Sequence, residues 1–430
     1  MELKLAIMTK QTARLIALAV FLVRYACTEP FSSPTHVNVT TNLGLIFSHN
    51  PGNSDMPPSL YEFGMSDQLR KIAPITYAGA NTPLASPVLR IGKFVYGTLV
   101  TNPAARGSSQ RVLYRMSVDG ENLTILWKWT KGDHERLTFF SHTYTMYKNS
   151  SGDGSLAGLC EGNNGLLYGA TIGGGSHGLG TIFSFNSKDG RYRLLYAFGT
   201  DLTNPTHRHK HLDTRDGASP WQQLAYDGTY LYGTATLGGL YGHGVLFRLN
   251  PANSQFKVLH DFSSESRSTG EGNLPQRIIF VHSTTIVGVM PTGGKYGNGI
   301  IYAISTNGAD YRVLHIFGPT SSTDRAINPD GMNPLGIVQM QRNYLFGITS
   351  WGGRYGGGTV FEMRPDGTGF KVIEEEGDKH DICGVLPVRI WDIRGKIVIE
   401  NSSGGKSDDG TLLILTRRAG KVVKMRYLGL

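Results

Sequence analysis

Along most of the chain, β-branched and aromatic residues alternate with small or polar ones at period two, in short runs closed by Gly, Asn or Asp. The run Gly358-Thr359-Val360-Phe361-Glu362-Met363 is one example, and helical i, i+3, i+4 spacing is absent. Such alternation predicts half-buried strands joined by tight turns. The runs also recur in a fixed order. Leu231 to Phe262, LYGTATLGGLYGHGVLFRLNPANSQFKVLHDF, has clear copies at 167–198, 286–317 and 345–376, weaker ones from Val95 and Ile397, and a degraded one from about Leu43. Matching glycines, Gly169, Gly233, Gly288 and Gly347, set steps of 64, 55 and 59 residues. Each copy divides into a lead strand such as Gln222 to Tyr226, then LYGTAT, GVLFRLN and FKVLHDF. Asp189-Gly190, Asn307-Gly308 and Asp366-Gly367 supply the positive-φ turns between the third and fourth strands. Four antiparallel strands repeated about seven times predict an all-β fold, a β-propeller of about seven four-stranded blades spanning 37–430. An open β-solenoid is the structural rival, although its repeats are usually shorter.

The N-terminus breaks the pattern. Lys4, Lys10 and Arg14 precede the apolar run Leu15 to Val23, which Arg24 closes, and small residues follow near Ala26 to Thr28. The run is too short to cross a bilayer, which needs about 20 residues. Its order is that of a secretory signal peptide, expected over 1–28, with 29–36 a short linker. Secretion, with no stable membrane insertion once the signal is cleaved, is the expectation. The three cysteines are Cys27, Cys160 and Cys383, and the last two fall in units that are not neighbours in a seven-unit ring, so no disulfide is expected. Asn-x-Ser/Thr triplets at Asn38, Asn122, Asn149 and Asn401 are candidate glycosylation sites in a secreted glycoprotein.

A net charge of +9 invites a nucleic-acid partner, but the basic residues do not form a stripe. Arg191, Arg193, Lys257, Arg312, Lys371, Lys421, Lys424 and Arg426 recur on the fourth strand of the unit, the outer edge of each blade, where they discourage edge-to-edge pairing. A continuous groove for nucleic acid is therefore not expected, while an anionic glycan or cell surface stays open.

The most specific motif is G-G-x-(Tyr or His)-G-x-G between the second and third strands: Gly174 to Gly180 with His177, Gly238 to Gly244 with Tyr241, Gly293 to Gly299 with Tyr296, and Gly352 to Gly358 with Tyr355. Together with the strands around it, LYGxTxxGGxxGxGTVFxLxPDGxFxVLxxF resembles the GloVer-type (choice-of-anchor) tandem repeat of extracellular and surface-anchored microbial proteins, over about 157–376. The resemblance implies secretion and a propeller-like repeat, and it implies no catalytic residue.

A phosphate-binding glycine loop leads into a helix N-terminus, whereas this one leads into a strand. Two readings remain. In one, the glycines serve tight turns and the ring packs on the next blade. In the other, the loops share one face and present His177, Tyr241, Tyr296, Trp351, Arg354 and Tyr355, with Lys295 beside them, to sugar rings or a protein partner. The stretch His207-Arg208-His209-Lys210-His211, followed by Asp213 and Asp216, offers metal-ligand types. Its interleaved cations favour a solvated loop, and no metal site or cofactor is expected. Asp216-Gly217 and Asp330-Gly331 are expected to be turns whose carboxylates cap backbone groups. His260 and His315 occupy equivalent fourth-strand positions, which the repeat explains before any chemistry does. No Gly-x-Ser-x-Gly, His-Glu-x-x-His or Walker-type motif occurs. An extracellular binding module for a glycan or protein is thus expected. A polysaccharide lyase or hydrolase at the channel mouth is the alternative, and a structural matrix protein is a third.

Overall fold

The computed structural model describes residues 45–429 other than 50–58, 64–67, 75, 78–79, 82–87, 102–109, 131–132, 140–141, 155, 200–213, 264–270, 322–327, 341–342, 376–384, 394, 404–410 and 419–420. The expected signal peptide, the linker, Cys27, Asn38, Cys383 and the His207–His211 loop lie outside these residues.

Six four-stranded antiparallel sheets follow one another in sequence order. We number them as blades II to VII. Their strands are Leu89–Ile91, Phe94–Thr101, Gln110–Ser117 and Thr124–Lys128 in blade II; Leu156–Glu161, Leu166–Thr171, Thr181–Asn186 and Tyr192–Ala197 in blade III; and Ala225–Tyr226, Leu231–Ala235, Val245–Asn250 and Gln255–Asp261 in blade IV. Blade V has Ile278–Val281, Thr285–Met290, Ile300–Ser305 and Arg312–Ile316. Blade VI has Asn328–Met340, Tyr344–Gly353, Thr359–Met363 and Lys371–Glu375, and blade VII has Val385–Ile393, Lys396–Ser403, Thr411–Arg418 and Lys421–Gly429. A hairpin, Asp133–Phe139 with His142–Lys148, lies between blades II and III.

The expected count of about seven four-stranded blades is corrected in one respect. The first unit, blade I, is a three-stranded sheet of Leu45–His49, Ser59–Phe63 and Leu69–Pro74. Its strands match the second to fourth strands of the others. A register shift separates Leu60 from Tyr61, just as it separates Leu113 from Tyr114, Ile182 from Phe183, Leu246 from Phe247, Ile301 from Tyr302 and Val360 from Phe361 on the third strands of blades II to VI. Leu60 and Tyr61 share one apolar cluster with Val88, Val95 and Val112 of blade II and with Trp391, Val398 and Leu412 of blade VII. This seam joins the two ends of the blade series and rules out an open stack.

The repeated Leu-Tyr-Gly of the second strand has a packing cause. The glycine pairs with the aromatic residue that follows the bulge on strand three, as in Gly169 with Phe183 and Gly233 with Phe247. A Cβ on either glycine would stand 2.6 Å from that ring's Cζ. Only a missing side chain lets the ring lie over the neighbouring backbone, so the sequence alternates a bare position against a large one. The expected turns form with Gly190, Gly308 and Gly367 at φ of 73°, 94° and 96°. On the fourth strand Arg191, Arg193, Lys257, Arg312 and Lys371 are exposed, as expected of an outer edge. Among the described residues no helix is long and apolar enough to cross a membrane.

Candidate functional site

The glycine loop is built by backbone geometry that other residues resist. In blade IV, Gly238, Gly239, Gly242 and Gly244 have φ of 74°, 82°, 78° and 95°, all in the left-handed region. The loop closes on itself through Gly244 N donating to Gly238 O at 2.8 Å and Gly242 N to Gly239 O at 3.2 Å. Its last glycine then abuts the next blade: a Cβ on Gly244 would stand 2.8 Å from Pro275 Cδ, and Gly180 meets Pro220 in the same way at 2.6 Å. These prolines lie just before the first strands of the next blades, so each loop abuts the chain entering its neighbour. Carboxylates at the end of strand four secure the third loop position. Asp261 Oδ1 accepts from Leu240 N at 2.7 Å, and Glu375 Oε2 accepts from Arg354 N at 2.6 Å.

In blades IV and VI the third position is held in this way; blade V has Ile316 in place of the carboxylate, and the fifth position is glycine in all three. Tyr241, Tyr296 and Tyr355 are 44%, 40% and 40% exposed, and Trp351 is 48% exposed. Leu240 at 59% joins them, and Leu194 on an outer strand completes the exposed large hydrophobic residues among those described. Of the two readings of these tyrosines, each holds in part: more than half of each ring is covered and the rest faces solvent. Glycine and proline also meet across the blades at Gly180 with Pro220 and Gly244 with Pro275. Arg354 and Lys295 are exposed beside them, and Lys295 Nζ lies 5.3 Å from the Tyr296 ring centroid. His177 differs: it is half-buried, with its Cβ backing onto Gly199 at the end of its own blade's fourth strand. The structure thus groups Tyr241, Tyr296, Trp351, Arg354 and Tyr355 on consecutive blades and sets His177 back. Leu240 was not singled out from sequence, although it occupies the position of Lys295 and Arg354. A depression of about 290 Å³ beside Arg354 and Tyr355 is lined also by Val372, Ile373, Glu374 and Glu375.

The remaining titratable residues sit in the seams between blades. Tyr196 of blade III stacks on Phe256 of blade IV at 4.1 Å and donates its hydroxyl to Asp216 Oδ2 at 2.8 Å, which also accepts from Gly199 N. His260 of blade IV repeats this on Tyr311 of blade V at 4.1 Å, with Nε2 3.2 Å from Glu271, which accepts from Ser263 N. His315 stacks on Phe370 at 3.6 Å, 3.7 Å from Asp330, which accepts from Gly318 N. Asp216 and Asp330 therefore cap backbone groups as expected, although Asp330-Gly331, expected as a turn, lies within the strand Asn328–Met340 at its irregular start, and the histidines are seam residues. Burial pushes the His315 imidazolium down to about 4, against the pull of Asp330. The unfolded chain takes up that proton near 6.5, so stability tied to neutral His315 is complete above that pH and is lost as pH falls toward 4. His315→Phe keeps the stack. Between pH 7 and 4 it is expected to lose about 2–3 kcal/mol less stability than the parent, as read from urea midpoints at each pH.

Along the channel, polar side chains link inner strands. Gln222 Nε2 donates to Gln276 Oε1 at 2.5 Å, and Gln223 Nε2 donates to Leu159 O at 2.5 Å. Arg277 Nη1 reaches from blade V to Ile390 O of blade VII at 3.5 Å. Burial lowers Arg277 to about 10, so it stays charged at neutral pH. Sequence reasoning missed Arg277, whose signal was a cation on a lead strand where blade VI has Gly336. Among the described residues no group of three or more His, Cys, Asp or Glu is arranged for a metal. Buried Cys160 is a free thiol that burial raises to about 12. Of the described sequons, Asn122 is exposed. Asn149 instead uses its amide nitrogen toward Gly152 O at 2.8 Å and Thr130 O at 3.3 Å. Asn401 is wholly buried against Thr411, which leaves no room for a glycan on the folded chain.

Residues 199–328 match the model of the Gloeobacter/Verrucomicrobia repeat, the type the glycine motif resembles. No curated protein matches the chain in sequence. Among solved structures, the chain is similar to a putative 6-phosphogluconolactonase from Bacteroides fragilis NCTC 9343 (13% identity, 91% of this chain and 96% of that one, TM-score 0.52). It is equally similar to one from Bacteroides uniformis ATCC 8492 (13%, 90% and 96%, TM-score 0.52). At such identity the likeness shows the fold alone.

Proposed function

We propose that this protein is a secreted β-propeller module that binds an extracellular glycan or protein through its glycine-loop face. The observation that carries this reading is the partial exposure of Tyr241, Tyr296 and Tyr355 at the same loop position of three consecutive blades, with Trp351 exposed at the end of the strand that enters the last loop. Each ring keeps 40–48% of its surface in water, and stacked under an apolar or sugar face that open part contributes about 0.5–1.5 kcal/mol beyond its area. The basic, apolar, small-residue order of the N-terminus supports an extracellular setting.

The Tyr241→Ala/Tyr296→Ala/Tyr355→Ala variant tests the reading on a glycan array and in cell-surface binding. Each ring adds roughly 1 kcal/mol, so binding is expected to fall about a hundredfold while the unfolding midpoint holds. Undiminished binding by the folded variant removes the face from consideration.

A further inference from the structure

Resting on the reading above, we infer that the ligand is a linear polysaccharide carrying carboxylates, laid across blades IV, V and VI. The arrangement of the rings separates a polymer from a protein partner. Tyr241, Tyr296 and Tyr355 come from the same position of three successive units, each followed by a glycine in the left-handed region, with exposed Leu240 next to the first and exposed Trp351 four residues before the last. A protein interface concentrates its energy in a contiguous apolar centre sealed by a rim. Single rings repeated at one blade's step instead match a ligand that itself repeats, each pyranose offering a C–H face to stack and hydroxyls to bond. The loops supply open main chain for those hydroxyls. Around Gly297 and around Gly356 a Cβ would meet nothing within 4 Å, so a ligand can approach the backbone there.

The charge of the polymer follows from the third loop position. Lys295 and Arg354 stand immediately before Tyr296 and Tyr355, both exposed, and neither forms an ion pair among the described residues. At the end of strand four blade V has Ile316, so no carboxylate stands at that place for Lys295, and in blade VI Glu375 there accepts from the Arg354 amide. One ammonium and one guanidinium group thus stand beside two of the rings. Glu374 lines the depression beside Tyr355, so the polymer's carboxylates meet the two cations at the loop tips and do not enter that depression. This charge pattern favours a polyuronate over a neutral glucan.

The probes are alginate, its propylene-glycol ester and a neutral β-glucan, each titrated against the full chain by calorimetry and affinity electrophoresis at two salt concentrations. Alginate is expected to bind, more weakly at high salt. Esterification, or the Lys295→Gln/Arg354→Gln variant, is expected to weaken binding by about tenfold, the sum of two surface charge contacts. The Tyr241→Ala/Tyr296→Ala/Tyr355→Ala variant is expected to lose it further, and unfolding midpoints confirm that both variants fold. Equal binding of the neutral glucan, unmoved by the Lys295/Arg354 variant but lost with the tyrosines, overturns the inference about charge and leaves the face reading intact. Alginate binding unmoved by the tyrosine variant overturns both, since the rim charge alone would then be responsible. Failure to bind any of the three, with cell-surface binding still dependent on the tyrosines, overturns the polysaccharide and points to a protein ligand on the same face.

Discussion

Arg389→Met is expected to destabilise the protein by about 3–5 kcal/mol, the cost of leaving one half of a buried ion pair behind. Arg389 and Glu400 face each other across the first two strands of blade VII, 2.8 Å apart, with side chains only 5% and 3% exposed. Burial works to lower the Arg389 pKa and Glu400 works to raise it again, so each charge is tolerated because of the other. Without the guanidinium, the Glu400 carboxylate loses its ion-pair partner on the buried face it shares with Trp391, Val398 and Leu412. Arg389→Met/Glu400→Leu removes both charges and keeps the volume, and is expected to regain most of the loss. Urea midpoints of the two variants decide the matter. If the double variant is as unstable as the single one, the damage comes from packing and the electrostatic account fails.

The second large effect is expected from a single methyl group. Gly233→Ala places a Cβ 2.6 Å from Phe247 Cζ and 2.7 Å from Leu224 Cδ2, both buried in one cluster. Neither neighbour has space to withdraw, and overpacking of this kind typically costs about 1–3 kcal/mol. The change is close to neutral in a strand that packs nothing opposite the glycine. Pairing it with Phe247→Leu gives a diagnostic: the smaller side chain relieves the clash, so the double variant is expected to be more stable than the sum of the singles. Strict additivity of the urea midpoints would refute the steric account.

Much of the architecture was legible because the unit writes its strands, turns and edges in residues with few alternatives. Second, third and fourth strands of blade IV, expected at LYGTAT, GVLFRLN and FKVLHDF, form at Leu231–Ala235, Val245–Asn250 and Gln255–Asp261. The lead strand was less legible. Gln222 to Tyr226 was expected, and only Ala225–Tyr226 pairs, while the side-chain amides of Gln222 and Gln223 bond to Gln276 and to Leu159 O in neighbouring blades. The degraded first unit misled the blade count for a related reason, since its pairing survives only in three strands. At the loop face, sequence placed the rings on one surface but could not decide between burial and exposure. That choice depends on whether the neighbouring blade reaches the loop with a side chain or with Pro275, and alternation along one strand carries no information about the strand beyond it. The seam histidines were assigned to the repeat correctly, but their stacking on Tyr311 and Phe370 joins different units and has no signature within one.

Blade I sets the timetable of folding. Its Leu60 and Tyr61 need Val95 from one flank and Trp391 with Val398 from the other, residues drawn from opposite ends of the sequence. During synthesis, blades III to VI can condense on one another as they leave the ribosome, whereas the N-terminal sheet must wait with an apolar wall uncovered until blade VII has emerged. That interval is when the uncovered apolar wall exposes the nascent polypeptide most to aggregation.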